Sequence, residues 1–397
     1  MHLRTAVVLA AGEGTRLRPL TRNRPKPMLP AANRPILEHV LDALVDAGIE
    51  KLVLVVGYRR ERVQNYVGPT YRDVPVEYVV QEKQLGSGHA LLQARSAVSE
   101  PLVVVNGDRL IEAASVQAVA ERFERGDRAA AMAVIERDDP SRYGVVELDG
   151  DRVADLVEKP DTSDTRLINA GIYAFGDSVF SEVEETPRES GELAITETIT
   201  RLVDRREVTG VTIEGSWVDA TYPWDLLSVA SEVFERGETS EPERKPGVWI
   251  DDDAIVHDDA TLQPPVVVGP DCEISPGAVV GPNVALARNV TVGANATIDR
   301  AVVDEDSRIG PGATLVDAVF GQDVHFGAGS VIPGGPGDVR VGTRIHEDRA
   351  LGAVLADRVR VGGAATFDPG TVVAANARIG PGCRVDGRIS EGTEVGR

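Results

Sequence analysis

Up to about residue 228, apolar positions fall in short β-branched runs that alternate with stretches of helical spacing. AVVLA (6–10), KLVLVV (51–56), VEYVV (76–80) and LVVVN (102–106) are short β-branched runs of strand length and read as buried parallel strands. ILEHVLDALVDAG (36–48) places its apolar residues on one helical face and closes on Gly48, and HALLQARSAV (89–98) predicts a second helix. Strand–helix alternation of this kind predicts an α/β, Rossmann-like sheet with helices on both faces. Ligands of such sheets bind beyond the strand carboxyl ends, where a glycine-rich loop follows the first strand here.

The rhythm changes after GETSEPERKPG (237–247), a charged, proline-containing stretch with the composition of a linker. Val268, Ile274, Val280, Leu286, Val292 and Ile298 recur every sixth residue, and so do Leu355, Val361, Phe367, Val373, Ile379 and Val385. A period of six predicts a left-handed parallel β-helix, in which each short strand turns one apolar residue inward and glycines serve tight corners. A conventional sandwich would not keep that period. The expected domains are therefore 1–236, a linker 237–247, and 248–397. Residues 333–350 (PGGPGDVRVGTRIHEDRA) break the repeat and predict a loop insertion. A short solenoid leaves flat faces uncovered, so a homotrimer packed through the solenoid is expected.

Composition narrows the function. Acidic residues outnumber basic ones 63 to 42, for a net charge of −21, which argues against nucleic-acid binding because a phosphate backbone would be repelled. Many carboxylates, abundant arginine and only five lysines suggest a halophilic protein. In molar salt the screening length is about 3 Å, so an anionic substrate must be held by direct contact. Cys272 and Cys383 match no metal spacing and predict no disulfide. No apolar run reaches the roughly 20 residues of a membrane span, and a cytoplasmic location is expected.

The first loop carries the most specific motif. Gly12-Glu13-Gly14 alone marks an ordinary turn as readily as a phosphate loop. It is not a Walker loop, since no Gly-Lys-Ser/Thr follows, and Leu17 stands where a dinucleotide fingerprint would have its third glycine. The full string, with Gly12, Gly14, Thr15 and Arg16, then Pro19, Thr21 and Pro25-Lys26-Pro27, resembles the signature of sugar-1-phosphate nucleotidylyltransferases. The solenoid extends the resemblance to members with a C-terminal hexapeptide domain, most of all the archaeal bifunctional uridylyltransferase/acetyltransferase type.

The resemblance implies attack of a sugar-1-phosphate oxygen on the α-phosphorus of a nucleoside triphosphate, with pyrophosphate leaving. Leu9, Ala10, Ala11, Gly12 and Gly14 would line the nucleotide, joined by Asn106 and Gly107. Arg16 and Lys26 would be catalytic. Arg16 would grip the triphosphate with its fork, and Lys26 would set a compact charge at the α-phosphate that a planar guanidinium would not reproduce. Asp108 and Asp219 would hold Mg²⁺. Gln81, Gly86 and Ser87, in QEKQLGSGHA, match the base-recognition segment and favour UTP over dTTP; Ser87 would equally cap the helix that follows, and His89 would orient its neighbours. Tyr143-Gly144, Glu158-Lys159-Pro160 and Asn169-Ala170-Gly171 match the sugar segments, so that Gly144, Glu158, Lys159 and Asn169, with Glu197 and Glu192 further on, would bind the sugar phosphate.

Bifunctional relatives carry a His-x-Tyr before a Gly-Ala-Gly in the solenoid. Gly327-Ala328-Gly329 is present here, but the upstream stretch reads Gly312-Ala313-Thr314, and neither His325 nor His346 stands at the motif position. The general base for acetyl transfer is therefore missing from its place. Acetyl-CoA as a second substrate, a thymidylyltransferase, and a catalytically inactive scaffold are the alternatives to a uridylyltransferase.

Overall fold

The four β-branched runs are adjacent strands, but only three are buried on both faces; Val74–Val80, expected to be buried, is partly exposed because it lies one strand from the sheet edge and carries Glu77. In the computed structural model, which describes residues 3–98, 101–126, 128–162, 165–176, 178–188, 191–215 and 217–396, Thr5–Ala10 lies between Lys51–Val56 and Leu102–Asn106, parallel to both. Val74–Val80 extends the sheet in the same sense beside Lys51–Val56. Val7, Val53 and Val104 are fully buried on one core. Among the described residues the sheet has ten strands and is mixed rather than purely parallel. Leu167–Phe175 runs antiparallel to both Leu102–Asn106 and Ala130–Glu136, and Gly144–Asp149 pairs antiparallel with Arg152–Glu158. The first predicted helix is Ile36–Asp46, and the second is Ser87–Gln93 followed by a tighter turn at Ala94–Ala97.

All twelve residues of the period-six pattern are buried in a single solenoid core. Strands stack in parallel one coil apart, Val266 beside Val284 and Ala353 beside Thr371. The repeat does not stop at Ile298 but runs on to Ile332, where the insertion begins. At two corners the step shortens by one residue, from Ile298 to Val303 and from Leu315 to Phe320, each inside one long strand, Thr297–Val303 and Thr314–Phe320. The bends fall at Arg300 and Asp317, which take left-handed φ values of 44° and 54° and bond each other through guanidinium and carboxylate. The insertion at 333–350, expected as a loop, is an antiparallel hairpin of Gly337–Val341 and Arg344–Arg349. The expected linker also carries structure: Glu243–Lys245 pairs with Val248–Ile250, and Glu241 is buried. Cys272 and Cys383 are free thiols. Among the described residues no helix is long and apolar enough to cross a membrane.

The chain forms two compact units whose limits differ from the change in sequence rhythm. The sheet unit holds the chain up to Glu13 together with Ile36–Val218. The solenoid unit holds Gly14–Pro35 together with the chain from Asp219 onward, including the helix Asp225–Arg236 packed on the long strands. The signature string thus begins in one unit and continues in the other.

Candidate active site

In the sheet unit, the strand Thr5–Ala10 delivers Leu9, Ala10 and Ala11 to its carboxyl end. Ala11 is held there by Gln84, whose Nε2 donates to its carbonyl at 2.9 Å. A Cβ added to Gly12 would meet nothing within 4 Å, so the protein's own packing does not require glycine at this position. Gly107 donates its N–H to the Leu9 carbonyl at 3.0 Å, and a Cβ there would press on Val8 at 3.0 Å. Asn106, Gly107 and Asp108 therefore stand at the end of the strand adjoining Leu9.

Gln81 is buried and its amide hydrogens are committed. Nε2 lies 3.0 Å from the Gly86 carbonyl and 2.9 Å from His89 Nδ1. Burial, and then the charge of Arg188, lower the His89 pKa, which favours the neutral ring, and in its Nε2–H tautomer Nδ1 accepts from Gln81. Gly86 has φ +98°, and an added Cβ would lie 2.4 Å from the Leu193 carbonyl oxygen, so glycine is required by the chain itself. Ser87 does not cap its helix. Its Oγ accepts from Ile195 N–H at 3.0 Å, tying the segment to the helix Ile195–Asp204.

The sugar-segment residues come together around strand pairing. Gly144 faces Glu158 across the edge ladder, and a Cβ on Gly144 would stand 3.0 Å from Glu158 Oε2 and 3.7 Å from Asn169 Cβ. Lys159, at φ +45°, pairs its Nζ with Glu158 Oε1 at 2.8 Å, both half exposed. The Asn169 carboxamide works inward: Nδ2 donates to Tyr173 Oη at 2.7 Å, and Oδ1 accepts from Gly171 N–H at 3.0 Å. Glu197 accepts from Ala194 N–H at 3.4 Å, a helix-capping role.

In the solenoid unit, Gly14 turns the chain at φ +64°, and an added Cβ would lie 2.8 Å from Lys26 Cβ. Thr21 closes the turn by donating to the Gly14 carbonyl at 2.9 Å. Arg16 is exposed. Lys26 Nζ donates to Asp219 Oδ1 at 2.9 Å, with side chains only 13 % and 7 % exposed, and Thr221 donates to Asp219 Oδ2 at 2.7 Å. Among the described residues no group of three histidine, cysteine or acidic side chains gathers as a metal cluster.

Residues 5–236 match the family model described as Nucleotidyl transferase, and residues 244–346 match the GMPPB C-terminal domain. The chain belongs to the nucleotidyl transferase family. A "Bifunctional protein GlmU" of Methanococcus maripaludis is 33 % identical over 404 residues, spanning 97 % of this chain and 95 % of that protein. The "UTP--glucose-1-phosphate uridylyltransferase AglF" of Haloferax volcanii is 39 % identical over 224 residues, 55 % of this chain and 92 % of its own. Among solved structures, a putative glucose-1-phosphate thymidylyltransferase from Bacillus anthracis superposes with a TM-score of 0.53 at 27 % identity, covering 57 % of this chain and 94 % of that one.

This nucleotidyl transferase also carries contacts that no motif announced. In the sheet unit, Trp217 lies between the guanidinium groups of Arg109 and Arg137, 5.1 and 5.2 Å from its ring centroid, and donates Nε1–H to the Ala170 carbonyl at 2.7 Å. In the solenoid unit, His346 is buried against the rings of Tyr222 and Trp224. His325 is half exposed, 3.4 Å from Asp323, with its pKa lowered by burial and by Arg360. Arg24, between the short turns Leu20–Arg22 and Lys26–Met28, is a further cation of the signature stretch, and the sequence gives no sign of its partners.

Proposed function

We propose that the protein transfers UMP from UTP to a hexose-1-phosphate, N-acetylglucosamine-1-phosphate or glucose-1-phosphate, giving a UDP-sugar and pyrophosphate. The observation that carries this reading is the Lys26–Asp219 pair. The cation expected at the α-phosphate and a carboxylate expected at the metal, 193 residues apart in sequence, meet as a nearly dry ion pair. A sugar-phosphate oxygen forms the new bond to the α-phosphorus while the bond to the β-phosphate oxygen breaks, and the electron pair leaves on pyrophosphate. The nucleophile is already an anion, so no base is needed. The protein's work is to align two polyanions and neutralise the charge that develops. Lys26 would exchange Asp219 for phosphate oxygen, Arg16 would grip the triphosphate, and the Gly12 backbone would let it approach.

The oxygen donors of Asp108 and Asp219 suit Mg²⁺, which commonly takes one or two carboxylates and fills its shell with phosphate and water. When bound it would neutralise phosphate oxygens. The committed Gln81 amide supports uracil as the base, because its Oε1 is the atom left to accept from the ring N3–H. For the sugar, the Gly144–Glu158–Lys159 group supplies an acceptor for hydroxyls and a cation for phosphate. We read the solenoid as a trimerising element, to be checked by light scattering in high salt. Pyrophosphate release at high KCl with Mg²⁺, each nucleoside triphosphate and a panel of sugar-1-phosphates tests the proposal. Release with UTP and a hexose-1-phosphate is expected, and no release with any pair would overturn it.

A further inference from the structure

Three successive residues of the signature loop, Arg22, Asn23 and Arg24, each bond a carboxylate of the solenoid. Arg22 Nε meets Glu391 at 3.2 Å on the surface, and Asn23 Nδ2 donates to Asp357 Oδ2 at 3.0 Å. Arg24 is the buried member, 5 % exposed, and its fork spans two coils: Nη1 bonds Asp304 Oδ2, and Nη2 bonds Asp357 Oδ1 at 2.9 Å. Asp304 and Asp357 are themselves 5 % and 4 % exposed. Asp304 directly follows Val303 and Asp357 lies two residues after Leu355, and Val303 and Leu355 flank Phe320 from the coils on either side. The coil between them is built to admit the second carboxylate. A Cβ on Gly321 would lie 2.4 Å from Asp357 Oδ1, and Gln322 N–H donates to that oxygen at 3.1 Å.

Burial alone would lower the Arg24 pKa, but the two carboxylates raise it above the ordinary arginine value, so the charge stays in place at every working pH. Arg24 Nε is buried without a hydrogen-bond partner. A buried ion triad with an unsatisfied donor is a poor way to gain stability compared with apolar packing, which points to position as its purpose. What it positions is close by. Pro25 and Pro27 flank Lys26 and restrict the backbone that leads from Arg24 to the ammonium group.

We propose that Arg24, Asp304 and Asp357 are positioning residues for nucleotidyl transfer, through which the solenoid sets Lys26 against the α-phosphate. The proposal deepens, and rests on, the reading of Lys26 as the phosphate cation. The fork is the essential element, since one ammonium cannot span both carboxylates. The triad is too buried for salt to screen, which suits a loop that must hold its place in concentrated KCl.

The test uses the full chain and pyrophosphate release, with turnover counted per nucleotide-binding site. Arg24→Lys keeps the charge and loses the fork. The triple variant Arg24→Met, Asp304→Asn, Asp357→Asn removes every charge, so that no buried ion is left alone. Both are expected to melt cooperatively, to bind UTP with KM within about threefold of the parent, and to lose about tenfold or more in kcat, as a small displacement of a reacting group does. Turnover within twofold of the parent in either folded variant overturns the proposal. So does a rise in KM with kcat unchanged, and so does loss of cooperative melting in both, which would make the triad a folding element only. Lys26→Arg separates the two readings. If it turns over normally, the assignment of Lys26 itself is wrong, whereas its loss beside normal Arg24 variants removes only the positioning role.

Discussion

In the sheet unit, Gln81 is held by neutral hydrogen bonds to Gly86 and His89. In the solenoid unit, Lys26 is held by charge, its ammonium on Asp219 and its near neighbour Arg24 on Asp304 and Asp357. The contrast follows from what each unit is proposed to bind. A pyrimidine edge is neutral and is told from others by donors and acceptors, so its reader gains from fixed amide dipoles. Phosphate is anionic, and its reader must be a cation that stays charged and placed until the substrate arrives. Both devices are largely buried, which shields them from screening by salt.

The largest expected effect breaks the charged half alone. Lys26→Arg retains a cation beside Asp219 but replaces a compact charge with a broad fork, where Gly14 already packs against the lysine stem. Turnover should fall by about 10²–10³-fold, the usual cost of misplacing a group that meets transition-state charge. The melting temperature should stay within a few degrees, because Asp219 keeps its partner. Stopped-assay kinetics with calorimetry decide it, and near-normal turnover would refute the assigned role.

Breaking the neutral half should cost less and show itself as lost choice rather than lost rate. Gln81→Leu removes the acceptor offered to uracil N3–H without placing a charge in the pocket. The efficiency with UTP should drop roughly 10- to 100-fold, as expected for one buried hydrogen bond and the group it leaves unpaired. Cytosine presents an acceptor at N3, so CTP should lose far less and the preference between the two should shrink. An unchanged UTP:CTP ratio would mean that Gln81 serves the fold and not the base.

The two units also differed in how far they could be read before folding. Every inward position of the period-six pattern proved buried, because each solenoid strand offers one apolar residue to the core and little else varies. The middle coils were missed because the two shortened corners at Arg300 and Asp317 shift the phase by one residue each. In the sheet, three parallel strands were legible as buried apolar runs, whereas Val74–Val80, read the same way, is partly exposed because it lies one strand from the edge. The mixed character was not legible, since no local signal tells Leu167–Phe175 which way its neighbours run. The triad was hidden for a different reason. Asp304 and Asp357 lie 280 and 333 residues from Arg24, and two aspartates do not stand out in a chain with 63 acids.

The smallest effect sharpens the neutral half by titration. His89 must be neutral to accept from Gln81, and its burial together with Arg188 holds its pKa below the ordinary 6.5. The unfolded chain therefore takes up a proton before the folded one does. The contribution of His89 to stability is complete above pH 6.5 and is lost as pH falls through the lower folded value. The same protonation turns Nδ1 into a donor facing an amide that also donates, and frees Gln81 to rotate. The KM for UTP should be flat above about pH 6.5 and rise by about threefold to tenfold below it, on the scale of one hydrogen bond, while the KM for the sugar phosphate stays level over the same range. In His89→Gln, whose carbonyl accepts at any pH, the UTP curve should flatten. A rise that begins above pH 7, or one that survives the substitution, would assign the titration to some other group and leave the neutral anchor without its switch.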